Sequence, residues 1–479
     1  MKLTPFKRIT GTTAVIFLLF LFDVRADGGM DSIPARPSPD WLRDSVVYEI
    51  FPRDFSPAGN FDGITAKLDE LHSLGVNILW LMPIHPIGEK FRKGEFGSPY
   101  SVKDYYAIDP AYGTPDDFKK LVVEAHKRDM KVIMDLVANH TAWDSVMMVH
   151  PEFYKHNAQG KIIPPVPEWT DVAALNYTNA LLRQYMIGML KYWVQTYGVD
   201  GFRCDSAAMV PTDFWEEART ELAKIDPDII MLAEASKPEL LMSAFDMDYS
   251  WPLLGAEDQV LINGAPALYI RRSWEKSRAQ FPRNALHMEI SDDHDEPRAI
   301  NRYGLKGALA ASALIFTLDG VPLIYNGMEI GDVNESSGDA LFKKENISWQ
   351  TPEDPDLRAT YGDLIRLRHE YPALRNSHVE WLRNSDETNL LTFLRADDKD
   401  ELLIVINFSG HPISGKIDLK NPEGFTPVKI SGMQGSNDDS PPTFHLNGFE
   451  WRIFHRLTVT GALAHLENNE NKAGGQNEH

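Results

Sequence analysis

The sequence predicts an α/β fold, a (β/α)8 TIM barrel with a short inserted loop subdomain after the third strand and a C-terminal all-β sandwich. Three observations support this fold class. Apolar β-type runs alternate with helical patterns eight times, which implies a closed barrel. The runs are continuously apolar, as expected for parallel strands that are covered on both faces. Three of the runs end in a carboxylate, at the strand ends where such barrels carry their functional residues.

The predicted strands are short runs separated by longer, helix-like segments. They span residues 46–51, 77–84, 131–139, 201–207, 229–235, 245–251, 286–292 and 321–327. The segment 114–130 starts with Thr114 and Pro115, which are typical of a helix N-terminus. The segment 179–198 has apolar residues at helical spacing and ends in glycine, and 212–225 repeats the pattern.

The remaining segments complete a predicted domain order. This order is a signal peptide at 1–26, a linker at 27–40, a barrel at 41–384 with an inserted subdomain at 141–176, a C-terminal β-sandwich at 385–460 and a disordered tail at 461–479. The insertion is Pro-rich and lacks a helical pattern, whereas the segment after 385 consists of β-type runs.

The N-terminus predicts export. A basic start precedes an apolar run at 12–22, and the small residue Ala26 follows as a cleavage position. The run is short for a transmembrane span, so we expect cleavage and a periplasmic or extracellular chain, with an uncleaved anchor as the alternative. No cysteine follows the run, so a lipoprotein anchor is not supported.

The composition excludes several classes of partner. The chain has 48 basic and 69 acidic residues and a net charge of −21, which argues against binding to nucleic acid or to an anionic membrane. A neutral ligand such as a sugar fits this charge, and no stable membrane insertion of the mature chain is expected. Cys204 is the single cysteine, so stability does not rest on disulfides, and strand alternation predicts a buried thiol there.

Asp205, Glu234 and Asp295 are the candidate catalytic residues, because each ends or follows an apolar run. Cleavage of an acetal needs an acid that protonates the leaving oxygen and a carboxylate that attacks or shields the cationic sugar carbon. Arg203 has the same strand parity as Asp205, so its guanidinium should keep that carboxylate charged. Asp135 on the third strand would balance Arg203.

Several motifs together resemble the α-amylase family of retaining α-glucan enzymes (glycoside hydrolase family 13). They occur in the family's order as SPYSVKDYYAIDPAYGT (98–114), DLVANHT (135–141), GFRCD (201–205), MLAEA (231–235), His294-Asp295 and GVPLIYNGMEIG (320–331). The resemblance covers roughly residues 41–460. It implies that Asp205 is the nucleophile, Glu234 the general acid/base and Asp295 a third carboxylate that binds ring hydroxyls. It also implies that the insertion corresponds to the family's B domain.

The resemblance implies an α-glucan or maltooligosaccharide substrate and a set of residues that bind it. Tyr100 resembles the aromatic platform under the cleaved sugar, and His140 and His294 resemble the histidines that bind its hydroxyls. Arg203 completes this set. Three tryptophans remain open between a sugar platform and core packing: Trp143, Trp169 and Trp251.

A retaining mechanism sets two further expectations for the acids. The carboxyl groups of Asp205 and Glu234 should lie about 5–5.5 Å apart. Their pKa values should differ, with that of Glu234 raised and Asp205 kept ionised.

The sequence departs from the family pattern at several positions. Asn139 matches one ligand of the structural calcium found in many members, but Ala174 stands where the family has an acidic ligand. The carbonyl of Met209 remains as a second oxygen, so calcium is possible, but no cofactor is expected to be required. Ala208 replaces a lysine, which should change binding on the acceptor side. Asp293 stands where Asn is frequent, and its added charge predicts an upward shift of the acid limb of activity.

Three functions are compatible with these residues. The first is a secreted hydrolase of α-1,4 links in starch, glycogen or maltooligosaccharides. The second is a transglycosylase or a trehalose-type isomerase that uses the same covalent intermediate. The third is a non-catalytic glucan-binding protein, against which the presence of all three acids argues. The sequence leaves the oligomeric state open.

Overall fold

The structure, a computed structural model, describes residues 29–335, 337–349, 356–432, 440–458 and 460–461. These residues contain seventeen strands and eleven α-helices. The predicted signal peptide and all but the first residue of the predicted tail lie outside the described residues.

Eight parallel strands of the described residues close into a barrel. The strands up to residue 325 are β1 Val47–Ile50, β2 Ile78–Leu81, β3 Lys131–Val137, β4 His140–Ala142, β5 Val172–Ala174, β6 Gly201–Asp205, β7 Ile230–Ala233, β8 Met247–Tyr249, β9 Leu286–Glu289 and β10 Val321–Tyr325. The barrel order is β1-β10-β9-β8-β7-β6-β3-β2, while β4 and β5 pair outside it. Each predicted run contains one barrel strand, so the predicted (β/α)8 barrel is confirmed.

Helices cover the outside of the barrel. They are α1 Asp40–Arg43, α2 Pro52–Phe55, α3 Phe61–Thr65, α4 Leu68–Leu74, α5 Pro115–His126, α6 Ala180–Tyr197, α7 Thr212–Ala223, α8 Trp251–Leu261, α9 Leu268–Arg278, α10 Ala299–Thr317 and α11 Leu357–Glu370. Thr114 and Asp117 form a capping box at the start of α5. Gly198 ends α6 with a left-handed φ of 73°. The predicted caps of both helices are therefore present.

Side chains alternate between two cores across the barrel wall. Ile230 and Leu232 of β7 pack inside the barrel, whereas Met231 packs outside against the helical layer. Cys204 of β6 also lies in the outer core and is fully buried, as predicted. The residues on either side of Cys204 therefore face the barrel interior.

Gly201 allows a close approach of β6 and β7. A Cβ atom at this position would lie 2.2 Å from the carbonyl oxygen of Ile230. The two residues are register partners at the start of their strands. A glycine is therefore required where the two strands enter the barrel.

The insertion after β3 is held by a small antiparallel sheet. His140 of β4 pairs with Ala174 of β5. Between these strands, the described chain forms two 3-10 turns, Val146–Val149 and Pro151–Phe153. The strands place the insertion beside the C-terminal end of β3.

The segment before α1 is more than a linker. Arg36 forms an ion pair with Asp246, and Ala35 donates its backbone N–H to the carbonyl of Arg283 at 2.9 Å. Pro34 forms a β-bridge with Arg283. Residues 29–40 therefore pack against the barrel, because they form backbone hydrogen bonds and an ion pair with it.

The C-terminal region forms the predicted antiparallel sandwich. Its strands are β11 Glu380–Trp381, β12 Leu390–Ala396, β13 Asp400–Asn407, β14 Ile413–Lys416, β15 Thr426–Pro427, β16 Thr443–Leu446 and β17 Trp451–Leu457. The order of the larger sheet is β11-β12-β13-β17-β15, and β14 pairs with β16. Leu403 and Val405 of the larger sheet pack against Ile413 and Leu446 of the smaller one. Among the described helices, none is both long and apolar enough to cross a membrane.

Candidate active site

Three barrel strands bring the candidate acids together. Asp205 ends β6, Glu234 follows β7, and Asp295 lies in the loop after β9. Glu234 donates its backbone N–H to the carbonyl oxygen of Cys204 at 3.0 Å, which continues the β6–β7 pairing by one residue. The acids therefore lie at the C-terminal ends of the barrel strands β6, β7 and β9, where a barrel places its functional groups.

The guanidinium of Arg203 lies at the centre of this group and is fully buried. Its Nη1 is 3.2 Å from Oδ1 of Asp205, and its Nη2 is 3.0 Å from Oε2 of Glu234. Oδ2 of Asp295 is 4.0 Å from the same Nη2. One fixed cation thus contacts all three predicted acids, as expected from the shared parity of Arg203 and Asp205.

Asp135 supports the guanidinium from the adjacent strand. Its two oxygens accept hydrogen bonds from Nη1 of Arg203 at 2.9 and 3.1 Å. The hydroxyl of Tyr100 and the indole N–H of Trp80 donate to Oδ2 of Asp135 at 3.0 and 3.3 Å. Burial raises the pKa of Asp135 to about 6, although Arg203 opposes the rise. Asp135 therefore balances the charge of Arg203, as predicted, through a direct and buried ion pair.

The pKa values of the two central acids follow the predicted order, but they differ less than expected. Burial raises the pKa of Glu234 to about 7, with the attraction of Arg203 opposing and Asp205 and Asp295 adding to the rise. Burial also raises the pKa of Asp205 to about 6. Arg203 lowers the pKa of Asp205, but it does not cancel the rise that burial causes. At neutral pH, Asp205 is still the more ionised of the two acids.

The carboxylates of Asp205 and Glu234 differ in their hydrogen bonds, and the residue that donates to Glu234, Ser206, has a strained backbone. Oδ2 of Asp205 has no hydrogen-bond partner among the described residues, whereas Oδ1 contacts Arg203. Ser206 adopts a left-handed φ of 46° and donates its backbone N–H to Oε2 of Glu234 at 2.7 Å. Such a conformation is costly for a non-glycine residue and is typical of functional sites.

The two predicted histidines differ in charge. Burial disfavours the charged form of His294, but Asp295 and Glu49 outweigh it and raise its pKa to about 10. Nδ1 of His294 is 2.5 Å from Oε1 of Glu49, and its Nε2 is 2.7 Å from the hydroxyl of Tyr100. Burial lowers the pKa of His140 to about 4, so this ring is neutral. The site therefore offers one charged and one neutral imidazole.

A cleft of about 230 Å³ opens above these groups. Its lining includes most of the predicted residues: Tyr100, His140, Trp169, Asp205, Glu234 and Asp295. Trp251 instead stacks on Tyr249 at 4.9 Å between ring centroids and belongs to the barrel core. Trp143 lies beside the cleft rather than in its lining. Of the three tryptophans left open by the sequence, only Trp169 lines this cleft.

The residues around Asn139 do not fit a calcium ion. Its amide nitrogen is 3.3 Å from Nδ1 of His140 and 3.8 Å from the sulfur of Met209. The register partner of His140 is Ala174, which has no ligand atom in its side chain. In the part of the chain that the structure describes, no three Asp, Glu, His or Cys side chains gather as metal ligands. A hard cation that prefers six to eight oxygens lacks its donor set here.

Burial disfavours the negative charge that the sequence suggests for Asp293. Burial raises its pKa well above the usual range, and Asp295 adds to the rise. Its Oδ1 accepts backbone N–H groups from Asp295 and Glu296 at 3.1 and 2.9 Å. Its Oδ2 has no partner among the described residues, so the neutral acid is favoured. Burial therefore opposes the negative charge on which the predicted electrostatic role of Asp293 depends, and that role stays a prediction.

Several residues of the site were not predicted from the sequence. Glu49, which contacts His294, is a carboxylate inside the apolar run of β1, and this contrast could have identified it. Lys93 and Asp171 also line the cleft and form an ion pair of 2.8 Å. They lie in two separate loops, and no local pattern identifies them.

Comparisons with known proteins show which family this chain resembles in sequence and fold. The family model for the alpha-amylase catalytic domain matches residues 26–159 and 168–361. The alpha-amylase MalA of Haloarcula japonica is 29% identical over 400 residues, which cover 78% of this chain and 57% of that protein. A cyclomaltodextrinase of a Bacillus species is 28% identical over 422 residues, covering 77% of this chain and 73% of that enzyme. Among solved structures, the noncanonic maltogenic alpha-amylase AmyB of Thermotoga neapolitana matches with a TM-score of 0.78 and 29% identity, over 87% of this chain and 100% of that one.

Proposed function

Since this chain belongs to the α-amylase family of glycoside hydrolases, we propose that it hydrolyses α-1,4 links in starch, glycogen or maltooligosaccharides with retention of configuration. The observation that carries this proposal is the position of Asp205, Glu234 and Asp295 around the guanidinium of Arg203 in one cleft. An acid with a raised pKa beside a more readily ionised carboxylate is the pair that acetal cleavage requires.

The first step uses both acids. Protonated Glu234 gives its proton to the glycosidic oxygen while the bond between that oxygen and the anomeric carbon breaks. Oδ2 of Asp205, which has no hydrogen-bond partner among the described residues, forms a bond to the anomeric carbon. The product is a covalent glycosyl ester and a shortened glucan that leaves with a new hydroxyl group.

The second step reverses the roles. Glu234, now ionised, takes a proton from water while the water oxygen attacks the anomeric carbon. The ester bond breaks, and Asp205 leaves as a carboxylate whose Oδ1 lies 3.2 Å from Arg203. Two inversions at one carbon give net retention.

The remaining residues hold the sugar in place. Asp295 is partly exposed to the cleft and is available to accept hydroxyl groups of the ring. Charged His294 donates to Glu49 and to the hydroxyl of Tyr100 and so holds the Tyr100 ring in place, whereas neutral His140 lines the cleft and either donates or accepts. Tyr100 and Trp169 line the cleft and offer aromatic faces to the sugar.

We assign no metal ion to this chemistry, since the residues around Asn139 do not fit calcium.

Export to the periplasm or the exterior remains part of the proposal and rests on the sequence of residues 1–26. Fractionation of cells that express the full chain, with N-terminal sequencing of the mature protein, tests it. A cytoplasmic protein with an intact N-terminus would contradict export.

Product analysis over time tests the reaction class. Wild type and Asp205→Asn are incubated with maltoheptaose and with soluble starch. Shorter maltooligosaccharides from the wild type alone support hydrolysis that depends on Asp205. Longer or rearranged sugars would indicate a transglycosylase or isomerase, and no product from either protein would favour a binding-only function.

A trapping experiment tests the covalent intermediate. Glu234→Gln is mixed with α-maltosyl fluoride, because fluoride leaves without the proton that Glu234 would give. The second step then lacks its base, so a maltosyl ester should accumulate and appear by mass spectrometry on the peptide that contains Asp205. The double variant with Asp205→Asn is the control. Label on another peptide, or equal label in the double variant, would contradict the assigned nucleophile.

A further inference from the structure

Phe91 and Trp143 form an aromatic ridge at the surface. Phe91 is 61% exposed, and its ring lies 6.0 Å from that of Trp143 at an angle of 88°. The ammonium group of Lys90 lies 5.5 Å from the ring centre of Phe91 and 6.0 Å from that of Trp143. A large aromatic ring that is exposed in this way does not give the folded protein the hydrophobic stabilisation that its burial would give.

The backbone holds Phe91 on this surface at a cost. Its φ is 62°, in the left-handed region that an aromatic residue rarely adopts. The loop is fixed on the N-terminal side, where the backbone N–H of Glu89 donates to both oxygens of Asp144 at 3.1 and 3.2 Å. On the other side, Arg92 donates from Nε to the carbonyl of Gly88 at 2.9 Å. Strain that is held in this way is typical of a binding site.

The ridge continues the wall of the active-site cleft. The indole N–H of Trp143 donates to the carbonyl oxygen of Thr170 at 3.0 Å, between Trp169 and Asp171, which both line the cleft. Lys93, two residues after Phe91, pairs with Asp171 across the same wall. The ridge therefore adjoins the side of the cleft that Trp169 and Asp171 line.

We propose that Phe91 and Trp143 bind the outer glucose units of a linear α-glucan that extends beyond the cleft. The cleft volume of about 230 Å³ is smaller than the roughly 300–1,000 Å³ of sites that enclose a drug-sized ligand. A longer oligosaccharide must therefore extend past it. Glucose has an apolar face that stacks on aromatic rings. The hydroxyl groups at its edge accept hydrogen bonds from donors such as the ammonium group of Lys90. This inference rests on the proposed function, because it names the same glucan as ligand.

The test compares the affinities of a long and a short glucan. Dissociation constants for maltoheptaose and maltotriose are measured by calorimetry in the inactive Glu234→Gln background, alone and with Phe91→Gly or Trp143→Ala. Each ridge variant should lower the preference for maltoheptaose over maltotriose about tenfold, as expected for one lost aromatic contact. Tyr269→Ala, which removes an aromatic ring that is 47% exposed on α9, is the control and should change neither constant.

Phe91→Gly also separates binding from folding. Glycine accepts the left-handed φ, so this variant should unfold at the same or a higher temperature while it loses the preference. An unchanged preference in both ridge variants, or equal losses for both sugars, would overturn the proposal. A change of molar mass in light scattering with no change in sugar affinity would identify the ridge as a subunit contact instead. If active wild type fails to degrade glucans but the inactive background shows the predicted preference, the ridge stands and the hydrolytic function falls.

Discussion

Replacing Asp205 with asparagine should abolish turnover and also stabilise the folded protein at alkaline pH. The carboxyl of Asp205 has its pKa raised from 3.8 to about 6, mainly by burial, even though Arg203 attracts the ionised form. The ionised acid is therefore less favourable in the folded state than in the unfolded chain. Asparagine keeps the shape of the side chain and removes the charge.

The magnitude follows from the rise in pKa. A tenfold change in proton affinity corresponds to about 1.4 kcal/mol. The rise from 3.8 to about 6 at Asp205 thus corresponds to an upper limit of about 3 kcal/mol in the free energy of unfolding. For a chain of this length, whose unfolding entropy is large, the midpoint should rise by at most about 3 °C.

The sign of the effect depends on pH. Below pH 3.8, both the folded and the unfolded states of the wild type carry a protonated Asp205, so the cost is absent. It grows as pH rises and is complete above about pH 6. Scanning calorimetry at about pH 8 and about pH 4 should therefore show the gain at the higher pH only. A variant that is no more stable than the wild type at pH about 8, or equally stabilised at both, would refute this reasoning.

Asp200 supplies a control of opposite sign. Burial would raise its pKa, but a 2.7 Å contact with His126 and a 2.8 Å hydrogen bond from the backbone N–H of Val132 help to lower it. Its ionised form is therefore favoured by folding. Asp200→Asn should destabilise the protein at the pH where Asp205→Asn stabilises it. Equal shifts in one direction would show that the effect is not electrostatic.

Three further predictions concern activity. The kcat/KM for maltoheptaose should rise as Asp205 ionises near pH 6 and fall as Glu234 loses its proton near pH 7; a profile that stays flat from about pH 5 to about pH 8 would contradict the assigned roles. Asp293→Asn should leave both limbs in place, because burial favours the neutral acid and the amide oxygen also accepts its two backbone N–H groups; a displaced acid limb would show that Asp293 is charged in the active enzyme. Prolonged dialysis against EDTA should change neither the unfolding midpoint nor the rate of hydrolysis. If dialysis lowers either of them and added calcium restores it, the residues around Asn139 do bind calcium.

The acids could be predicted because each is marked by local sequence. Asp205 and Arg203 share a strand, so alternation alone places both side chains on one face. The structure confirms this with a 3.2 Å contact. The barrel was predictable for the same reason, since its strands and helices each repeat a local pattern.

Contacts between distant segments could not be predicted in this way. Glu49 and His294 are 245 residues apart, and their contact exists only once β1 and the loop after β9 close the barrel. The raised pKa values of Asp293 and Asp205 depend on burial by the assembled fold. Packing of residues 29–40 on the barrel likewise depends on Asp246 and Arg283, which no pattern near the N-terminus reveals.

The close approach at Gly201 has a consequence at the other end of its strand. Asp205 and Glu234 stand on β6 and directly after β7, four residues beyond the point where a Cβ atom would lie 2.2 Å from the carbonyl of Ile230. An alanine at Gly201 would force the two strands apart, and the separation of the two acids would widen with them. The spacing of the two acids thus depends on one missing methyl group at the opposite end of their strands.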